Sequence, residues 1–260
     1  MPDTITTVLF DAAGTLFDLD PPLARLIADE VTHVCAWQGR RLVRGADEVA
    51  VPDQPAVPQC GGVPAAQVEI ERAIGLVGTS EGWPDDQGSA HARVEAWSHF
   101  VGNVLRAAGQ SHPEPRTIAQ KILDPTRYAL FPEARPVLDL LTAAGIRIAV
   151  VSNFDDLLYE ILDATGITGY FPLIVTSYRF GAYKPDASIF RYALDQTGSL
   201  PHETLHVGDS PYSDIGGATA AGIHGVLVDR TGRHPGFAGT RIPSLTGVVP
   251  LALLSAGHHT

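Results

Sequence analysis

A chain of 260 residues is long enough to bury a sizeable core and falls between the usual sizes of one and two domains. With 45% hydrophobic and 18% charged residues it has the balance of an ordered globule, which excludes a disordered or fibrous chain. Acidic residues outnumber basic ones 29 to 18, and the resulting net charge of −11 would repel a polyphosphate backbone, so no nucleic acid is expected as a partner.

The first element is a strand over Thr4–Phe10, apolar and β-branched, with Asp11 directly after it. From Asp18 to Phe131 the alternation of strands and helices stops and amphipathic helices take over. Pro21–Gln38 carries Leu23, Ile27, Val31 and Val34 at helical spacing, and Ser89–Ala108 carries Ala90, Val94, Trp97, Val101 and Leu105. Between them, residues 45–68 hold Pro52, Pro55, Pro58, Pro64, Gly61 and Gly62, a composition that predicts an irregular loop. His91 and His99 read as packed or solvated residues, and Arg40, Arg41 and Arg44 as a solvated helix end.

After Phe131 the rhythm resumes, with strands expected over Ile146–Val151, Leu173–Thr176, Thr204–Val207 and Gly225–Val228. Helices over Pro132–Ala144, Asp155–Thr165 and Pro185–Thr197 end at Gly145, Gly166 and Gly198. Strands alternating with such helices predict an α/β, Rossmann-like, doubly wound parallel sheet with an inserted α-helical cap domain. The core is expected over 1–18 plus 132–260, and the cap over 19–131. Ligands of such sheets sit beyond the strand carboxyl ends, where Asp11, Ser152 and Asp209 would converge. Cys35 and Cys60 suggest neither a disulfide framework nor a zinc site, which predicts a cytoplasmic protein. Val248–Leu254 is too short to cross a bilayer, so no membrane partner is expected.

Four strings carry chemistry: Phe10-Asp11-Ala12-Ala13-Gly14-Thr15-Leu16; Val150-Val151-Ser152-Asn153-Phe154-Asp155; Tyr183-Lys184-Pro185-Asp186; and His206-Val207-Gly208-Asp209-Ser210-Pro211-Tyr212-Ser213-Asp214. In this order, each at a strand end or helix start, they resemble the motifs of the haloacid dehalogenase superfamily over roughly half the chain. The resemblance implies that Asp11 is the nucleophile, that the Ser152 hydroxyl binds a phosphoryl group and that Lys184 neutralises charge between them. Gly14, Thr15 and Asn153 take substrate-binding positions; the Asn153 amide, at a helix N-terminus, can donate to phosphate oxygens. Asp11, Asp209 and the Ala13 carbonyl would hold Mg²⁺, with Asp214 binding directly or through water. The expected partner is a small phosphorylated molecule, bound by a monomer or homodimer.

One position departs from that pattern. Phosphatases of the family carry a second aspartate two residues after the nucleophile, as general acid and base, and this chain has Ala13 there. That leaves a phosphohydrolase for substrates with a good leaving group, as in P-type ATPases, which also lack the carboxylate. It also leaves two enzymes that act on carbon: a phosphonoacetaldehyde hydrolase, which needs an early cap lysine where this chain has only Lys121, or a 2-haloacid dehalogenase, which needs no metal. In the last case Arg25, Arg40 or Arg41 could hold a substrate carboxylate. A phospho-ligand-binding protein on the same fold is the non-catalytic alternative.

Overall fold

The computed structural model describes residues 4–31, 65–80, 84, 89–110 and 114–253. In chain order they form β1 (Thr7–Phe10), β2 (Phe17–Leu19), α1 (23–31), α2 (Ala65–Ser80), α3 (Ala90–Ala107), α4 (Pro115–Ile122), β3 (Tyr128–Leu130) and α5 (Ala134–Ala143). There follow β4 (Arg147–Ser152), α6 (Leu157–Ala164), β5 (Ile174–Thr176), α7 (Ser177–Phe180), α8 (Ala187–Thr197) and β6 (Thr204–Gly208). A π-helical turn (Pro211–Gly216) leads to α9 (Gly217–Ala220), β7 (His224–Val228), β8 (Thr240–Ile242) and α10 (Val248–Leu253).

The main sheet has six strands in the order β5-β4-β1-β6-β7-β8, all parallel. It is the expected α/β, Rossmann-like sheet flanked by helices. The first strand lies at its centre, which is why all four of its residues are buried. Leu9, Ala149 and Val151 face α8 and pack with Ile189, Phe190, Ala193 and Leu194 in one buried cluster. Side chains alternate along a strand, so the buried Val8, Phe10, Ile148 and Val150 serve the opposite face. Helix α5, which contacts β4, buries Val137, Leu138 and Leu141. Burying a side chain such as Phe190 stabilises the fold by about 1.5–3 kcal/mol.

The chain order on either side of β1 diverges, with β4 beyond one edge and β6 beyond the other. This is the point where an open parallel sheet leaves a crevice at its carboxyl end. The register is also set: Phe10 lies opposite both Val150 and Val207. Asp11, Ser152 and Asp209 follow within two residues, so all three emerge at one rim.

The chain divides into two compact units, Met1–Asp18 with Tyr128–Thr260, and Leu19–Arg127. The second is helical. In α3, Ser89 caps the first turn by accepting a hydrogen bond from Ala92 N at 3.3 Å, and Phe100, Val101, Val104 and Leu105 are buried. Lys121 of α4 pairs with Glu30 of α1 at 2.5 Å. No helix among the described residues is long and apolar enough to cross a membrane.

Several elements differ from the sequence expectation. Residues 65–68, expected in a loop, begin α2, where Ile70, Ala73 and Val77 supply a buried stripe. The prolines and glycines of that window all precede Ala65 in sequence, so none falls inside the described helix before Gly75. The expected Pro21–Gln38 helix is described over 23–31 only; residues 32–38, like residues 45–64, Arg40, Arg41, Arg44, Cys35 and Cys60, lie outside the described residues. Helix α4 and strands β2, β3 and β8 were not expected. They span eight residues or fewer, too short to establish a period.

Candidate active site

Asp11 is still part of the sheet, because its N–H donates to Val207 O at 2.8 Å and extends the β1–β6 ladder past Phe10. The chain then turns tightly, with Leu16 N donating to Ala12 O at 2.7 Å and Gly14 N to Phe17 O at 2.8 Å. Gly14 has φ +74°, and a Cβ there would lie 2.4 Å from Asp209 Oδ2, so both its conformation and its space demand glycine. Gly208 serves Asp214 likewise, since a Cβ would lie 2.2 Å from the Asp214 Cγ. Each of these two carboxylates therefore rests against a bare backbone.

Ser152 and Lys184 both reach the Asp11 carboxylate. Ser152 Oγ donates to Asp11 Oδ1 at 2.9 Å, and Lys184 Nζ donates to the same oxygen at 2.6 Å. Lys184 Nζ also donates to Asp214 Oδ1 at 2.5 Å. Asp214 is held further by Ser210 N on Oδ2 and by His206 Nε2 on Oδ1, both at 3.0 Å. The π-helical turn that carries it is closed by Ser213 N donating to Ser210 Oγ at 3.1 Å. Oδ1 of Asp11 thus accepts from two donors, while Oδ2 meets none among the described residues.

The charges set one another. Burial works against the Lys184 ammonium, yet Asp11 and Asp214 hold its pKa above the ordinary value. Burial also opposes ionisation of Asp214, but Lys184 and His206 outweigh it and keep that carboxyl well below the usual range. Asp11 is raised, by burial first and then by the Asp214 charge, with Lys184 pulling the other way. Asp209 is pushed up to about 7 by burial and by the negative Asp11 and Asp214.

Carboxylate oxygens of Asp11, Asp209 and Asp214 lie within 4.8 Å of one another. Three carboxylates face one ammonium, so the cluster is short of positive charge, and its donors are all hard oxygens. A small divalent cation fits both features.

The structure brings Asp11, Gly14, Ser152, Asn153, Lys184, Asp209 and Asp214 to this rim. Asn153 does more than its backbone amide suggested. Its side chain receives Lys184 N on Oδ1 at 2.7 Å and donates Nδ2 to Lys184 O at 3.0 Å, gripping both backbone groups of the lysine. Thr15 is fully buried and its Oγ1 has no hydrogen-bond partner. In the helical unit, Arg25 lies 3.7 Å from Asp29, and His99 Nε2 lies 3.1 Å from Asn103 Nδ2.

Two groups were missed from sequence. His206 stands inside the fourth string and its ring is fully buried, edge-on to Phe190 at 4.8 Å. The Nε2–H tautomer is consistent with both its bond to Asp214 and its partnerless Nδ1. Its only signal was a single ionisable residue in a strand whose other members are Thr204, Leu205, Val207 and Gly208. Arg230, beyond β7, reaches the loop after Asp11 across the fold, and nothing local marks it.

Comparison with known proteins gives this fold a family. The family model described as haloacid dehalogenase-like hydrolase matches residues 5–222, and the chain belongs to that family. Haloacid dehalogenase-like hydrolase domain-containing protein 3 of Xenopus laevis is 41% identical over 101 residues, 39% of this chain and 41% of that protein. Phosphoserine phosphatase of Thermus thermophilus is 37% identical over 129 residues, 49% of this chain and 52% of the enzyme. The chain thus spans about half the length, or less, of these two curated relatives. The crystal structure of a HAD phosphatase from Thermococcus onnurineus shares the fold, with a TM-score of 0.59 and 22% identity over 98% of this chain and 100% of that one.

Proposed function

We propose that this hydrolase is a Mg²⁺-dependent phosphohydrolase for a small phosphorylated metabolite, working through an aspartyl-phosphate in the cytoplasm. The observation that carries this reading is the Asp11, Asp209 and Asp214 cluster around a single buried ammonium. A dehalogenase attacking carbon has no use for such an excess of negative charge. The phosphatase relative supports the same choice.

In this reading Asp11 Oδ2, the oxygen without a protein donor, forms a bond to phosphorus while the bond to the leaving oxygen breaks. Lys184 and Ser152, already on Asp11 Oδ1, shift to or share the equatorial phosphoryl oxygens as charge builds there. The backbone amide of Asn153 donates to the same oxygens, while the Gly14–Thr15 turn, its N–H groups bonded to Phe17 O and Ala12 O, holds the loop beside them. Asp11, Asp209 and the Ala13 carbonyl would hold Mg²⁺, with Asp214 directly or through water, and the ion would supply charge neutralisation at the phosphoryl group. Water then cleaves the acyl phosphate and restores Asp11.

Ala13 offers no proton to the leaving group, so substrates that leave as a stable anion, such as acyl or aryl phosphates, react best. That same alanine is what favours the second reading, a haloacid or phosphonate hydrolase. Two pairings weigh against it: Lys121 is engaged by Glu30, and Arg25 lies beside Asp29. The insertion is the proposed cap and the source of selectivity.

Turnover of acetyl phosphate and p-nitrophenyl phosphate with Mg²⁺ tests the proposal. Asp11→Asn should lower it by roughly 10³-fold or more. Ala13→Asp should raise the rate on an alkyl phosphate by about 10²–10⁴-fold. Equal rates for the wild type and Asp11→Asn would remove the mechanism.

A further inference from the structure

Arg230 follows β7 by two residues, yet its guanidinium meets two separate segments at the front of the sheet. Nη2 donates to Thr15 O at 2.9 Å and Nε lies 3.4 Å from Gly14 O. Nη1 donates to Glu133 Oε1 at 2.5 Å, and the guanidinium carbon sits 3.5 Å from the centre of the Phe131 ring. Glu133 also accepts from Leu245 N at 3.4 Å, so the acid that orients the arginine is itself tied to the C-terminal part of the sheet unit.

The contacts fall where they control the acidic cluster. Asp11 is pinned at its backbone by Val207 O, and Gly14 packs directly under Asp209. Between those points lies Ala13, whose carbonyl is the expected metal ligand. Arg230 holds the far end of this stretch, so the loop is fixed on both sides of Ala13. A planar fork can hold the loop carbonyls and a carboxylate at once while stacking on Phe131; an ammonium cannot.

We propose that Arg230 is a positioning residue that sets the loop from Asp11 to Thr15 against Asp209 and thereby tunes the Mg²⁺ site. The proposal rests on the phosphohydrolase reading and deepens it.

The test compares wild type, Arg230→Met and Arg230→Lys by Mg²⁺ titration calorimetry and by p-nitrophenyl phosphate kinetics. Residues behind a metal's ligands typically contribute about 10–100-fold to its affinity or to activity, and Arg230→Met should weaken Mg²⁺ by that order. It should lower kcat in parallel with little change in KM, and millimolar guanidinium should restore part of both. Arg230→Lys should fall between, and it decides the matter if the methionine variant does not fold. Wild-type Mg²⁺ affinity in the Lys and Met variants would overturn the proposal, as would a loss matched by the unfolded fraction and untouched by guanidinium. If the wild type binds Mg²⁺ but cleaves no phosphate, the functional reading fails while the calorimetric comparison still decides the role of Arg230. If the wild type binds no Mg²⁺, both fall.

Discussion

Gly14 has the tightest backbone requirement in the loop after Asp11. Its positive φ and the Asp209 oxygen at 2.4 Å from a would-be Cβ are separate demands, and alanine meets neither. Strained backbone of this kind costs of order 1–3 kcal/mol. Gly14→Ala should therefore lower stability by about that amount in urea unfolding and also cut phosphatase turnover, because Asp209 must move. Full stability and activity in the variant would show that the loop relaxes freely. The candidate residues were legible because each chemical type stands at a readable place: Asp11, Ser152 and Asp209 at strand carboxyl ends, Lys184 ahead of a proline. The side-chain grip of Asn153 on Lys184 was not legible, since its partners lie 31 positions away.

At the scale of elements, the long buried strands and the helices ending in glycine could be read directly, and the short pieces could not. Strands β2 and β3 have three residues each, and what makes them strands is mutual pairing rather than pattern. The joint between β7 and α5, made by Arg230 and Glu133, belongs to the same class. Burial opposes the Glu133 charge, but Arg230 and the backbone donors outweigh it and lower its pKa from 4.5. The folded state therefore binds that proton less readily than the unfolded state. Its stabilisation is complete above the unfolded glutamate value and is lost as the pH falls through the folded one. Urea midpoints of wild type and Glu133→Gln should differ at neutral pH and converge on acidification below 4.5. A gap that does not depend on pH would mean that the charge contributes nothing there.

For the whole molecule, the helical unit is an insertion whose ends meet. Asp20 N donates to Arg127 O at 2.7 Å, and β2 pairs with β3, so the chain leaves and returns at one place. Replacing residues 21–126 with a short Gly-Ser linker should leave a sheet unit that unfolds cooperatively, as followed by circular dichroism; an aggregated or unfolded product would show that this unit depends on the insertion. Taken alone, the sequence determined the class of fold and the order along the chain of acid, hydroxyl, lysine and acid. Those follow from local periodicity and from residue type at strand ends. Only the tertiary structure decided which oxygen of Asp11 is occupied, that Gly14 and Gly208 make room for carboxylates, and that His206 and Arg230 contact Asp214 and the Thr15 carbonyl. Such contacts join segments up to about two hundred residues apart, and short-range pattern carries no information about where a distant side chain arrives.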